Sequence, residues 1–117
     1  MTRQETFDLV IQKMIEQGEK CSERDQCLYR GLQGRKCAAG VLIPDCYYEQ
    51  SMEGAVIEDR SRILQILDQA GHDVGLVAKL QTCHDRPNFG PTWIKEFLLL
   101  AREVAVNFEL REDAIPT

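Results

Sequence analysis

Apolar residues recur at helical spacing near the start of the chain and again through its second half. Near the start, Thr2 and Glu5 have the T-x-x-E spacing of a capping box, and Gly18 is a natural helix terminator. Between them lies one apolar face, formed by Phe7, Val10, Ile11, Met14 and Ile15. The pattern predicts a helix over residues 2–17 that packs one face against the core.

The second half of the chain predicts three more helices. They cover residues 61–70, 73–84 and 92–108. Asp73 and Thr92 are residue types favoured at the N-cap of a helix, so we expect them to begin the second and third of these. Residues 86–91, RPNFGP, contain strong helix breakers and predict a loop, and the tail from Arg111 is expected to fray.

Residues 27–54, CLYRGLQGRKCAAGVLIPDCYYEQSMEG, interrupt the helical pattern. They predict a short β-hairpin, with strands at residues 27–30 and 35–37 around a glycine-containing turn. Residues 38–43 are small and apolar, as in a short buried helix or strand, and Pro44 ends them. The predicted fold is therefore a single mainly α (α+β) domain, with about four helices packed around a short β-hairpin and an irregular central segment.

Composition and charge argue against several classes of function. The 117 residues carry a net charge of −5, which argues against general nucleic-acid binding, since such binding depends on neutralising phosphates. No apolar run approaches the roughly 20 residues that span a bilayer, and the N-terminus lacks the pattern of a signal peptide. We therefore expect no membrane association and a cytoplasmic protein. Its five cysteines are expected to be reduced thiols, with Cys21 exposed or partly exposed in a polar loop over residues 19–26.

The cysteine spacings do not predict a metal site. Cys21, Cys27, Cys37 and Cys46 are separated by five, nine and eight residues, whereas a zinc knuckle places two cysteines two to four residues apart. We expect no metal and no cofactor.

Cys37 is the candidate nucleophile of an alternative hypothesis, a cysteine-dependent hydrolase. It follows Arg35 and Lys36 and precedes a possible short helix, and these features lower the pKa of a thiol. His84 could act as its base, with Asp85 beside it to orient the ring. The sequence has no nucleophile-elbow motif around Cys37, so a structural role for that cysteine is the competing interpretation.

Ligand binding is the leading hypothesis for the central segment. Arginine can form bidentate contacts with phosphate or carboxylate, and an aromatic ring can stack on a base. The candidate binding residues are Tyr29, Arg30, Arg35, Lys36, Tyr48, His84 and Trp93. The competing interpretation is a structural plug, in which Tyr29 and Trp93 belong to the core and Arg30 pairs with Asp45 or Glu53.

The central run resembles a family of small, mostly uncharacterised proteins of tailed bacteriophages, prophages and bacteria. The matching residues are Cys27, Tyr29, Arg30, Gly31, Gly34, Lys36, Cys37, Ala38, Gly40, Leu42, Ile43, Pro44, Asp45, Tyr48, Met52, Glu53 and Gly54. The later Leu80, Gln81, His84, Asp85 and Trp93 are also similar to that family, so the resemblance covers most of the chain. Family members often carry a further cysteine where this chain has Val41, which disfavours a metal site at that position.

The resemblance implies an accessory protein of phage type, present in the host cytoplasm. Such proteins often counter host defence by binding a host protein or by sequestering a nucleotide signal. We therefore expect a non-catalytic binding protein whose partner is an anionic, nucleotide-like small molecule or a host protein. In this hypothesis Arg30, Arg35 and Lys36 hold the negative charge, Tyr48 and Trp93 stack, and a homo-oligomer builds the pocket.

Overall fold

The computed structural model describes residues 1–23, 26–27, 29–31, 34–48, 53 and 61–116. Within these residues the helices are α1 (Arg3–Gln17), α2 (Ala38–Val41), α3 (Ser61–Gln69), α4 (Val74–Asp85) and α5 (Trp93–Asn107), with a 3₁₀ helix at Asp45–Tyr47. The prediction of a mainly α fold is confirmed. No described helix is long and apolar enough to cross a membrane.

The first helix forms as predicted, with both of its predicted ends. The Thr2 hydroxyl accepts a hydrogen bond from the Glu5 N–H, and the Glu5 carboxylate accepts one from the Thr2 N–H, so the capping box is present. Gly18 ends the helix in the left-handed conformation (φ 69°), and its N–H donates to the carbonyl of Met14. The residues of α1 buried in the core are Thr6, Phe7, Val10, Ile11 and Met14.

The two predicted caps of the second half have different outcomes. The Asp73 carboxylate accepts the Leu76 N–H at 3.1 Å and caps α4 as predicted. Thr92 occupies the N-cap position of α5, as predicted, but its side chain makes no capping hydrogen bond. The reason is the backbone of Thr92, which is already near-helical (φ −92°, ψ −2°), whereas a capping side chain needs an extended backbone.

Among the residues described between 27 and 37, the predicted β-hairpin is not formed as a pair of strands. The described backbone has one antiparallel bridge there, between Arg30 and Lys36. In a hairpin, Tyr29 and Cys37 would exchange two backbone hydrogen bonds, but only the Cys37 N–H donates to Tyr29, at 3.3 Å. The Tyr29 N–H donates instead to the Glu53 carboxylate, and the Cys37 carbonyl accepts from Val41 in the first turn of α2, so pairing cannot extend.

Other parts of the central segment also differ from the prediction. A two-residue antiparallel ladder joins β1 (Ser22–Glu23) to β2 (Gln26–Cys27), and all of it except Cys27 lies in the stretch expected to be loop. Residues 38–43, for which the sequence predicts either a short helix or a short strand, begin with the short helix α2. Leu28 of the first predicted strand lies outside the described residues.

Helix α4 lies at the centre of the fold and packs against α1, α2, α3 and α5. The buried hydrophobic side chains form one continuous cluster, in which the Trp93 and Phe97 rings stack with centroids 5.2 Å apart. The C-terminal tail joins this cluster, since Ile115 is buried and the Arg111 N–H donates to the Gln4 side chain at 2.8 Å. The prediction of a frayed tail is therefore wrong.

Candidate functional site

His84 and Asp85 form a buried polar pair at the end of α4. His84 is fully buried, and its Nε2 accepts the backbone N–H of Cys21 at 3.0 Å. The Nδ1 atom lies 2.8 Å from the Asp85 carboxylate. Because a neutral imidazole has one donor and one acceptor nitrogen, this pattern places the proton on Nδ1, where it is donated to Asp85. Both ring nitrogens are occupied by these contacts, which tie residue 21 to α4.

Lys20 and Trp93 complete this polar centre. The Lys20 ammonium donates to the carbonyl oxygens of Asp85 and Pro87, each at 2.8 Å, and so satisfies one carbonyl at the end of α4 and one just beyond it. The Trp93 indole donates to the carbonyl of His84 at 2.9 Å, and its ring meets the imidazole edge-on at 5.3 Å. His84 and Trp93 were predicted to contact a ligand, but both are fully buried and belong to the core.

Cys37, the candidate nucleophile, lies in the core of the protein. Its side chain is fully buried, and its sulfur accepts the Gly40 N–H at 3.3 Å. Burial raises the pKa of the Cys37 thiol well above its usual value, the opposite of what an activated nucleophile requires. Cys21, predicted to be exposed, is also fully buried, and its thiol donates to the Arg35 carbonyl at 3.4 Å.

We expect iodoacetamide to label Cys46 before Cys37 in the native protein, because Cys46 is exposed, whereas Cys37 is buried and its thiolate is disfavoured. Cys37 should react only as fast as the chain unfolds. A time course at neutral pH, read by peptide mass spectrometry, measures both rates, and a Cys46→Ser variant serves as the control for cross-talk. Fast labelling of Cys37 in the folded chain would restore the hydrolase hypothesis.

Arg30 is held by its neighbours within the central segment. Its guanidinium donates to the carbonyl of Ile43 and to the carboxylate of Asp45, each at 2.8 Å. The guanidinium also lies over the Tyr48 ring, 4.5 Å from the centroid, in cation–π geometry. The structural interpretation in which Arg30 pairs with Asp45 is therefore confirmed by the ion pair.

The Glu53 carboxylate organises the same region from the other side. It accepts the backbone N–H groups of Tyr29 and Arg30 at 2.8 and 3.1 Å and the Tyr48 hydroxyl at 2.5 Å. Burial and the hydrogen bond to Glu53 together raise the pKa of Tyr48 to about 12, so this hydroxyl remains a donor. Tyr29 is itself buried. Tyr29, Arg30 and Tyr48, all predicted to bind ligand, are thus used to fix the segment.

The remaining predicted residues, Arg35 and Lys36, lie in a cleft beside α1. We call it the basic cleft; it has a volume of about 440 Å³ and is lined by Lys13, Glu16, Gln17, Gly34, Arg35, Lys36 and Val41. Three cations and one carboxylate meet there. Each cation has a loose ion pair, between Lys13 and Glu16 (3.6 Å), Arg35 and Glu19 (3.6 Å), and Lys36 and Asp45 (3.9 Å).

Gln17 fixes the position of this cleft. Its side-chain amide exchanges two hydrogen bonds with the Lys36 backbone, accepting the N–H and donating to the carbonyl, both at 2.8 Å. The last turn of α1 and the central segment are thereby held together. Lys13 and Gln17 were absent from the predicted site because a polar residue on a helix surface carries no local signal of what packs beside it.

No family model, curated protein or solved structure matches this chain. Of the motif residues on which the phage-family resemblance rests, Met52 and Gly54 lie outside the described residues. Among the described residues, no three histidine, cysteine or acidic side chains come together as a metal site.

Proposed function

We propose that this chain is a small accessory binding protein of phage type that holds an anionic ligand in the basic cleft. The observation that carries the proposal is the convergence of Lys13, Arg35 and Lys36 on one cleft of about 440 Å³. Sites for small ligands are commonly concave and have volumes of roughly 300–1,000 Å³, so the cleft is large enough for a phosphorylated metabolite.

Local charge supports an anion as the ligand. The lining carries a net charge of +2, from three cations and Glu16, on a chain whose net charge is −5. A concave surface of one sign concentrates ions of the opposite sign and raises their rate of association. The neighbouring carboxylates lie 3.6–3.9 Å from these cations, and their side chains are mostly exposed, so a bound anion can displace them at small cost.

The composition of the lining also indicates how the ligand is recognised. No aromatic side chain lines the cleft in the part of the chain that the structure describes, and Tyr48 and Trp93 are engaged elsewhere. We therefore expect recognition through charge, by phosphate or carboxylate groups, with a nucleotide bound mainly through its phosphates. Sequestering such a molecule is the means by which a phage-type protein would counter a host signal.

The test is calorimetric titration with inorganic phosphate, pyrophosphate, ATP and citrate. We expect at least one to bind, with an affinity that falls as salt increases. Replacing Lys13 and Lys36 together by glutamine should weaken that binding by about tenfold or more, because each removes a charged hydrogen-bond donor.

The matched control replaces Lys95 and Arg111, two cations outside the cleft, by glutamine. It removes the same charge and should leave the affinity within about twofold, since distant surface charges are screened. If none of the four anions binds, or if both double variants bind equally well, the proposed function is wrong.

A further inference from the structure

A groove runs between α4 and α5, on residues that take no part in the basic cleft. It consists of two adjoining depressions of about 360 and 210 Å³ that share Arg86 and Leu100. The floor of the α4–α5 groove is formed by the buried residues Cys83, Pro87 and Val104, the polar residues Thr82 and Asn107 also line it, and Leu99 on its rim is 60% exposed. Burial raises the pKa of the Cys83 thiol to about 11, so the floor is uncharged at neutral pH.

Charged residues of opposite sign line the two sides of the groove. Lys79 and Arg86 stand on the α4 side, and Glu96 and Glu103 stand on the α5 side. Each pair is seven residues apart, which corresponds to about 10.5 Å along a helix. Lys79 and Glu103 line the smaller depression, Glu96 lines the larger one, and Arg86 lines both, so Lys79 is level with Glu103 and Arg86 lies toward Glu96 across the groove.

These four charges have no ion-pair partner among the residues that the structure describes. None of the ion pairs within 4.0 Å involves Lys79, Arg86, Glu96 or Glu103, and all four residues are exposed. An exposed leucine at the rim of an apolar floor, with unpaired charges of opposite sign on the two sides, is typical of a protein-docking surface.

We propose that a second copy of this chain docks on the α4–α5 groove to form a twofold-symmetric dimer. A twofold axis parallel to the groove turns the facing copy over, so that its carboxylate row lies against the cation row of the first copy. Lys79 then faces Glu103 of the partner subunit, and Arg86 faces Glu96 of the partner subunit. The reciprocal contacts give four ion pairs in all, as an isologous interface requires.

The charge pattern also sets the orientation. A twofold axis in the same plane but across the groove would place cations against cations and carboxylates against carboxylates, which disfavours that dimer. The ion pairs thus select the arrangement, while burial of Leu99 and Leu100 against the groove of the facing copy supplies most of the attraction.

The test uses charge-reversed variants and light scattering after size exclusion, across the micromolar to millimolar range. The native chain should form a dimer. Lys79→Glu with Arg86→Glu makes both rows acidic, and Glu96→Lys with Glu103→Lys makes both rows basic, so each double variant alone should be monomeric. An equimolar mixture of the two should form a heterodimer, because every acidic row then meets a basic one.

Two further variants separate docking from folding and from bulk charge. Leu99→Glu should be folded by circular dichroism and monomeric, since this side chain is already mostly exposed. Lys95→Glu with Arg111→Glu has the same charge change as the acidic double variant, lies outside the groove, and should remain dimeric. The proposal is overturned if the native chain is monomeric at every concentration, or if the acidic and the basic double variants each form dimers alone. It is also overturned if their equimolar mixture fails to associate.

Discussion

Replacing Gly40 by alanine is expected to destabilise the protein by about 3 kcal/mol, because the new methyl group has no room. A Cβ at this position would overlap the carbonyl oxygen of Tyr29 and stand 2.9 Å from its carbonyl carbon. The obstructing atoms belong to the backbone carbonyl of Tyr29, which also accepts a hydrogen bond from the Cys37 N–H. This carbonyl therefore cannot move aside as a flexible side chain would. Urea denaturation, followed by the fluorescence of Trp93, measures the free energy of unfolding.

Gly34→Ala is the matched control for this substitution. Gly34 has a left-handed backbone (φ 74°), but a Cβ there would have no atom within 4 Å. Only the conformational strain of alanine is added, which costs about 1 kcal/mol. Equal losses in the two variants would show that Gly40 is not limited by its contact with Tyr29.

Replacing Glu53 by glutamine is expected to cost about 2–4 kcal/mol. Among the described residues, three hydrogen bonds reach the carboxylate, from two backbone N–H groups and the Tyr48 hydroxyl, and bonds to a charged acceptor contribute about 1.5–3 kcal/mol each. A glutamine side chain turns one of its oxygens into an N–H donor, which would then face another donor. The free energy of unfolding in urea is again the measurement.

Glu19→Gln is the control for the loss of one negative charge. Glu19 makes a loose ion pair with Arg35 at 3.6 Å, and its side chain is 60% exposed, so its replacement should change stability by no more than about 0.5 kcal/mol. Tyr48→Phe, which removes one of the three donors, should fall between the two. A loss in Glu53→Gln as small as that in Glu19→Gln would contradict the proposed role of Glu53.

The helices could be predicted from sequence because each depends on neighbouring residues. The T-x-x-E box at Thr2, the terminator Gly18 and the cap at Asp73 act within one turn, and the structure confirms all three. The absence of paired strands in the predicted hairpin could not be foreseen from neighbouring residues. Its two stretches have residue types suited to strands, but the Tyr29 N–H donates to Glu53, 24 residues away, and not to the facing strand. No local sequence pattern indicates this long-range hydrogen bond.

The candidate site could be predicted only in part, because distant contacts also decide which of its side chains remain available. The central segment was expected to turn Arg30, Tyr48 and Lys36 outward together, but the structure gives them different main contacts. Arg30 and Tyr48 are bound by Asp45 and Glu53, whereas Lys36 joins Lys13 in the basic cleft. Sequence gives the residue types in a segment, and the tertiary contacts decide which of them face solvent.

The bonds from Lys20 and Cys21 to the end of α4 have a consequence for the order of folding. They join residues 63–67 positions apart, so closing them costs much chain entropy before any contact is gained. Helices α4 and α5 are neighbours in sequence and can pair early. We therefore expect the segment around Lys20 and Cys21 to dock late and to open first, and the basic cleft, built on Arg35 and Lys36, to be among the last parts of the molecule to form.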